Sequence, residues 1–184
     1  FYAGRAHGGH GPWISNPRVI HKRLVARGNR VYTTLGFTAP VSQLDAASGE
    51  VLQTYPGTAF TSEIVLEDGV LFLAVDRAAR DAGAYGETPA KSVVAIDPAS
   101  GRVLWEREGF HGVVDGKFRF LAATLTRLSL TVGDGLVFVR DRDAIAALDA
   151  ETGEERWRTA SETAPPAQRR PHPLRADDPV GDLL

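Results

Sequence analysis

Short runs of aliphatic, β-branched and aromatic residues, separated by turns that carry Gly, Asp or Asn, make up most of the chain between residues 23 and 160. The clearest pair of runs is 63–66 and 70–75, which the turn Glu-Asp-Gly at 67–69 separates. Apolar runs that flank an Asp-Gly turn are typical of β-hairpins. The pattern therefore predicts antiparallel strands.

This hairpin belongs to a unit that occurs three times. Each unit has four short apolar runs joined by tight turns, which predicts a four-stranded antiparallel meander. The predicted strands are 23–26, 30–35, 41–45 and 50–55 in the first unit, 63–66, 70–75, 92–97 and 102–107 in the second, and 130–132, 136–139, 144–149 and 154–159 in the third.

One phrase recurs at the end of each unit. It reads Ala-Ile-Asp-Pro-Ala-Ser-Gly-Arg-Val-Leu-Trp over 95–105, returns over 147–157, and has a diverged copy over 43–53 in which Gln53 replaces Trp. The repeated positions are Asp45 and Gly49 in the first copy, Asp97, Gly101 and Trp105 in the second, and Asp149, Gly153 and Trp157 in the third.

These residue types predict structural roles. The Asp side chain accepts hydrogen bonds from backbone N–H groups two residues on, and Gly tolerates the positive φ that such a turn needs. Hydroxyls at Ser48, Ser100 and Thr152 add a cap to the same turns. The Trp side chain is large enough that we expect it to pack against the adjoining unit. Because the repeat accounts for the carboxylates, we predict no catalytic residue.

The spacing of the units predicts two insertions. Val31 and Val70 are 39 residues apart, whereas Val70 and the equivalent Leu136 are 66 apart. Extra residues at 76–91 and near 110–125 account for the difference. The units then span about 23–57, 62–109 and 129–160.

A repeated four-stranded antiparallel unit of about 40 residues indicates a β-propeller blade. We therefore predict an all-β, partial β-propeller of three blades with two loop insertions. A closed ring needs roughly four to eight blades, so the chain is either part of a longer propeller, the interpretation we favour, or a unit that assembles with copies of itself. Residues 1–22 read as an irregular lead-in and 161–184 as a Pro-rich linker or disordered tail.

The phrase Ala-x-Asp-x-x-Thr/Ser-Gly-x-x-x-Trp resembles the repeat of the PQQ-like β-propellers, the quinoprotein alcohol dehydrogenase-like superfamily. The resemblance covers residues 23–160, and the copies at 95–105 and 147–157 fit it fully. This superfamily includes quinoprotein dehydrogenases and the lipoprotein scaffold of the outer-membrane β-barrel assembly machinery. The resemblance thus implies a fold, and catalytic and non-catalytic functions are both compatible with it.

In the superfamily's dehydrogenases, PQQ and calcium are held by Glu, Asn, Arg and a catalytic Asp, often beneath a disulfide between adjacent cysteines. This chain has no Cys, and its Asn residues, Asn16 and Asn29, lie in the lead-in and in a turn. None of the superfamily's cofactor residues can be placed on a matching position. We therefore expect no cofactor, and PQQ with calcium remains only under the alternative of a dehydrogenase fragment.

Composition excludes other classes of function. The formal net charge of −2 gives no electrostatic case for nucleic acid. No apolar run approaches the roughly 18 residues of a membrane span. Without Cys, thiolate metal sites and Cys nucleophiles are excluded.

Other motifs favour structural interpretations. His7, His10 and His21 suit Zn or Cu chemically, but their glycine-rich surroundings favour a solvated loop, so we expect no metal site. Residues 86–92 only superficially resemble a phosphate loop, because the Gly before Lys91 is missing and a strand follows.

Two further segments have candidate roles. The second insertion contains a predicted hairpin over 113–120, for which we favour packing on the blade rim over the alternative of a binding lip. Asp141 and Asp143 are too few for a calcium loop.

We therefore predict a non-enzymatic binding or scaffolding module of a larger exported, periplasmic bacterial protein. Its partners would be a protein, glycan or small ligand at the propeller loops, together with the remaining blades of the same propeller. Two alternatives stay open: a fragment of a PQQ-dependent quinoprotein dehydrogenase, and a propeller accessory to an enzyme domain such as a methyltransferase on the same chain.

Overall fold

The computed structural model describes residues 22–36, 38–76, 91–112, 128–142 and 144–160. These residues form twelve β-strands in three sheets and contain no helix. The first sheet comprises β1 (Leu24–Arg27), β2 (Arg30–Thr34), β3 (Val41–Asp45) and β4 (Val51–Thr54). The second comprises β5 (Thr61–Glu67), β6 (Val70–Asp76), β7 (Lys91–Ile96) and β8 (Val103–Phe110). The third comprises β9 (Ser129–Gly133), β10 (Leu136–Arg140), β11 (Ala144–Asp149) and β12 (Glu155–Ala160).

Each sheet is an antiparallel meander in which sequence neighbours pair, in the orders β1-β2-β3-β4, β5-β6-β7-β8 and β9-β10-β11-β12. The predicted fold class, three four-stranded antiparallel blades of a partial β-propeller, is confirmed. Strand bounds differ from the predicted ones mainly where β5 and β8 run longer, to Thr61–Glu67 and Val103–Phe110.

The same row of side chains crosses each sheet. In the second sheet the register places Val65, Phe72, Ala95 and Trp105 side by side, and in the third it places Thr131, Phe138, Ala147 and Trp157 likewise. The centroids of Phe72 and Trp105 lie 6.0 Å apart, as do those of Phe138 and Trp157. The two rows are the structural expression of the sequence repeat.

Apolar side chains fill the two joints between successive sheets. The first joint, between the first and second sheets, contains Tyr32, Val41, Tyr55, Leu71 and Val94 among others. The second joint, between the second and third sheets, is larger and buries Phe72, Trp105, Phe110, Val137 and Leu148 among others. Successive side chains of a strand point to opposite faces of the sheet. The second sheet therefore packs on the first sheet with one face and on the third sheet with the other.

The connections between strands are of two kinds, and each kind lies at one end of the sheets. At one end, here called the turn end, lie the hairpin turns and the three Asp-Gly turns of the repeat. At the other, the loop end, lie the connections from Asp76 to Lys91 and from Phe110 to Ser129, which contain the two predicted insertions. Residues 77–90 and 113–127 of the insertions, which include the predicted hairpin at 113–120, fall outside the described residues. So do residues 1–21, with His7, His10 and His21, and the tail at 161–184.

Candidate functional site

The three repeat turns have one geometry. Oδ1 of Asp149 accepts hydrogen bonds from the backbone N–H of Glu151 at 3.0 Å and of Thr152 at 2.9 Å, and from the Thr152 hydroxyl at 3.1 Å. The backbone carbonyl of Asp149 accepts the Gly153 N–H at 2.9 Å. Asp45 makes the corresponding contacts within its own turn. Asp97 accepts the Ala99 N–H on Oδ1 and the Ser100 hydroxyl on Oδ2.

The turn glycines have the backbone conformation that this geometry needs. Gly49, Gly101 and Gly153 all have φ of 74°, a left-handed value that is costly for residues with a Cβ. The carboxylate network and this φ together fix the turn between the third and fourth strands of each sheet.

These turns keep the repeat carboxylates ionised. The hydrogen bond from Arg156 Nη2 to Asp149 Oδ2 at 2.7 Å, with those from the Thr152 and Glu151 backbone, lowers the pKa of Asp149 to about 2. Hydrogen bonds within their turns also lower the pKa of Asp45 and of Asp97, with Ser48 and Ser100 the main donors. A carboxyl whose pKa lies well below neutral pH is a poor proton donor. The geometry therefore gives these three carboxylates a role in holding the turns and not in acid–base chemistry.

Trp105 links the second sheet to the third. Its indole Nε1–H donates to the carbonyl oxygen of Ala150 at 2.9 Å, and the side chain is buried. A Cβ built on Gly153 would lie 2.7 Å from ring carbons of Trp105. Gly153 therefore does two things: it allows the left-handed turn, and it leaves room for the ring of the preceding sheet.

In the first joint, different residues contact the equivalent repeat turn. Gln53 occupies the Trp position, and its Nε2 lies 2.5 Å from where a Cβ of Gly101 would be. The missing indole donor is replaced by Tyr55, whose hydroxyl donates to the Pro98 carbonyl oxygen at 2.9 Å. Pro98 follows Asp97 as Ala150 follows Asp149, so both joints end on the equivalent carbonyl. Tyr55, fully buried, was not predicted from the sequence.

Trp157 differs from the sequence expectation. Its side chain is 45% exposed and contacts Phe138 of its own sheet, whereas the prediction was packing against an adjoining unit. The described part of the chain ends with the third sheet, so no further sheet is present there to receive it. Ile145, on the same face, is 46% exposed.

Asp141 joins the second and third sheets at the loop end. Its Oδ1 accepts the backbone N–H groups of His111 at 2.8 Å, Gly112 at 2.7 Å and Arg142 at 2.8 Å. Arg158 Nη1 lies 3.6 Å from its other oxygen. From the sequence, Asp141 came into question only as a calcium ligand, and its role at this joint was not predicted. The available signal was its position in the repeat, where the second unit has the buried Val75.

The second joint opens at the turn end into a groove of about 350 Å³. Four carboxylates, from Glu67, Asp68, Asp134 and Glu151, line this groove together with apolar side chains, and none of the lining residues that the structure describes is a Lys or Arg. The apolar lining includes Val70, Phe72, Leu104 and Val132. A second concavity of about 530 Å³, formed by Glu106, Arg107, Glu108, Glu155 and Arg158, is entirely charged and widely open.

Buried charge at the loop end is internally paired. Lys91, 2% exposed, donates to Asp76 Oδ2 at 2.5 Å, at the point where the first insertion leaves and rejoins the sheet. Among the described residues, no cluster of three or more His, Cys, Asp or Glu side chains is placed to hold a metal ion. That same part of the chain has no helix with the length and hydropathy that a membrane crossing requires.

A family model of PQQ repeats, described as outer membrane protein assembly factor BamB, matches residues 89–178. The search of curated proteins found no significant match. Solved structures do match. The computationally designed Ika8 protein has a TM-score of 0.56 at 14% identity, over 78% of this chain and 37% of that one.

Two further structures show the same fold at low identity. The computationally designed Ika4 protein has a TM-score of 0.54 at 12% identity, over 86% of this chain and 82% of that one. A europium-containing methanol dehydrogenase has a TM-score of 0.51 at 15% identity, over 77% of this chain and 24% of that one. The chain thus spans about a third of Ika8 and a quarter of the dehydrogenase, and these matches establish the fold alone.

Proposed function

We propose that this chain is a non-enzymatic binding or scaffolding module of an exported bacterial protein, because residues 89–178 match a family model of PQQ repeats and the three sheets form part of a β-propeller. The observation that carries this proposal is how the repeat uses its polar groups. In all three copies the Asp carboxylate accepts hydrogen bonds from its own turn. The role of the repeated motif is therefore structural.

The groove at the turn end of the second joint is the concave surface best suited to a partner. An apolar lining with a few polar groups is typical of ligand sites. Its four carboxylates favour a cationic ligand, and its half-open shape suits a Lys or Arg side chain of a protein segment better than an enclosed small molecule. We therefore propose a basic protein segment as the partner. The description of the matching family model as an outer membrane assembly factor supports protein binding and export.

A titration tests this binding. A short peptide with alternating Lys and Leu should bind the full chain, and Asp68→Asn with Asp134→Asn should weaken its affinity at least tenfold, because both carboxylates line the groove. Glu108→Gln, in the other concavity, is the matched control and should leave the affinity unchanged. Equal weakening by both variants, or equal binding of a Glu-Leu peptide, would contradict the proposed site.

A second experiment addresses the enzymatic alternative. The chain is mixed with PQQ and calcium, and quinone absorbance and dye-linked alcohol oxidation are recorded. The proposal predicts neither a saturable spectral change nor turnover. Stoichiometric PQQ binding with turnover would replace the scaffold function by that of a quinoprotein dehydrogenase.

A further inference from the structure

The two outer faces of the three-sheet stack have the two halves of one interface. The outer face of the third sheet carries the aromatic row with Trp157 and Phe138, and the exposed Ile145. These correspond to Trp105, Phe72 and the buried Val93, with which the second sheet packs on the third. The third sheet thus has the Trp half of a joint on its outer side.

The outer face of the first sheet has the receiving half. Register places Val31, Leu44 and Val51 in one row on the side away from the second sheet, with Leu24 on the same side and 66% exposed. In the third sheet the matching row contains Val137 and Leu148, both fully buried against the second sheet.

The turn that would receive an indole is also formed. Gly49 has the same φ of 74° as Gly153, and a Cβ built on it meets nothing within 4 Å, whereas one on Gly153 meets the ring of Trp105 at 2.7 Å. Ala46 follows Asp45 as Ala150 follows Asp149, and both alanines donate their N–H to a backbone carbonyl oxygen, Ala46 to Asn29 at 3.2 Å and Ala150 to Gly135 at 2.9 Å. The Ala46 carbonyl is therefore equivalent to the one that accepts the Trp105 indole.

We propose that a second copy of this chain covers both faces, with Trp157 of each copy docked on the Asp45–Gly49 turn of the other. The joint would continue an interface that the chain already makes twice, from the first sheet to the second and from the second to the third. Two copies supply six sheets, a number within the four to eight that close a propeller. Head-to-tail interfaces form a closed ring when the rotation closes, and a pair related by a two-fold axis satisfies this.

The area suffices for a stable pair. Four strands about 4.8 Å apart, each about five residues long, give a sheet face a footprint of roughly 320 Å². Two joints of two faces each then cover about 1,300 Å², within the range of about 1,200 to 2,000 Å² that stable complexes bury.

Sedimentation of the full chain tests the proposal. The expected mass is twice the 19.8 kDa of the chain at micromolar concentration. Trp157→Ala removes the docking ring and Leu24→Arg places a charge on the receiving face; each should raise the dissociation constant at least tenfold. Both positions are exposed, so these variants should remain folded. Val103→Ala, exposed in the middle sheet, is the control and should leave the mass unchanged.

Mixing the two defective variants identifies the pairing. In a head-to-tail pair, Trp157 of the Leu24→Arg chain meets the intact first sheet of the Trp157→Ala chain, so one joint is restored and a mixed dimer forms. The proposal would be overturned if only Trp157→Ala lost the dimer and the mixture formed no mixed dimer. That result would indicate a dimer in which the third sheets of the two copies pack against each other. A monomer at all concentrations would overturn it in favour of a different protein segment on these faces, and a ladder of larger masses would exclude a closed pair.

Discussion

Trp105 and Trp157 occupy the same position in consecutive sheets and have different surroundings. Each lies beside an Ala and 6.0 Å from a Phe ring in its own sheet. Trp105 is also buried by the turn of the following sheet and donates to its Ala150 carbonyl, whereas Trp157 is 45% exposed. The difference shows that the repeat builds the Trp half of a joint within one sheet and that the neighbouring sheet completes it.

The largest effect should separate the two tryptophans. Trp105→Ala leaves a cavity in the second joint and should lower the free energy of unfolding by about 3 to 5 kcal/mol. Trp157→Ala at low protein concentration should cost less than about 1 kcal/mol, since the side chain is largely solvated. Urea melts of both variants measure this, and equal losses would contradict the assigned environments.

Removal of the Asp141 carboxylate should weaken the second joint at its other end. Asp141→Ala leaves the His111 and Gly112 N–H groups without their acceptor, and we expect a loss of about 2 to 4 kcal/mol because charged acceptors contribute more than neutral ones. Hydrogen exchange should rise first at these two amides. Exchange unchanged there would show that the carboxylate does not hold the two sheets together.

The first joint should depend on Tyr55 where the second depends on Trp105. Tyr55→Phe removes the hydroxyl that donates to Pro98 and keeps the ring, so the expected loss is about 1 kcal/mol. Tyr32→Phe is the matched control, because its hydroxyl makes only a 3.3 Å contact with Gln43. A larger loss of unfolding free energy in Tyr32→Phe than in Tyr55→Phe would show that the Tyr55 hydroxyl is not the one that stabilises this joint.

The smallest effect concerns pH. The pKa of Asp149 is lowered in the folded state, mainly by Arg156, so its contribution is present above the unfolded pKa near 3.8 and lost as pH falls towards about 2. Asp149→Asn should therefore reduce stability at pH 7 and narrow the difference between urea midpoints at pH 5 and pH 2.5. An unchanged pH dependence would show that the turn does not favour the ionised carboxylate.

The strands, the three sheets and the positive φ of the turn glycines could be predicted because the repeat specifies local structure. Tyr55 could not, because the substitution of Gln53 for Trp is compensated two residues away. The role of Asp141 could not, because the His111 and Gly112 amides that it binds follow β8 of another sheet and are distant in sequence. The exposure of Trp157 depends on what lies beyond the third sheet, which the phrase itself does not encode.

A double-mutant cycle between Trp105→Ala and Gly153→Ala tests directly whether the indole of one sheet docks on the repeat turn of the next. In the single chain, an Ala at 153 adds both left-handed strain and a clash with the indole, whereas Gly49→Ala adds strain alone. The cycle is therefore measured at a protein concentration low enough to keep the chain monomeric. In the Trp105→Ala background the cost of Gly153→Ala should therefore fall by about 1 kcal/mol or more, to the value for Gly49→Ala. If Gly153→Ala costs the same with and without Trp105, the ring does not dock on that turn, and the repeat does not join the second sheet to the third in this way.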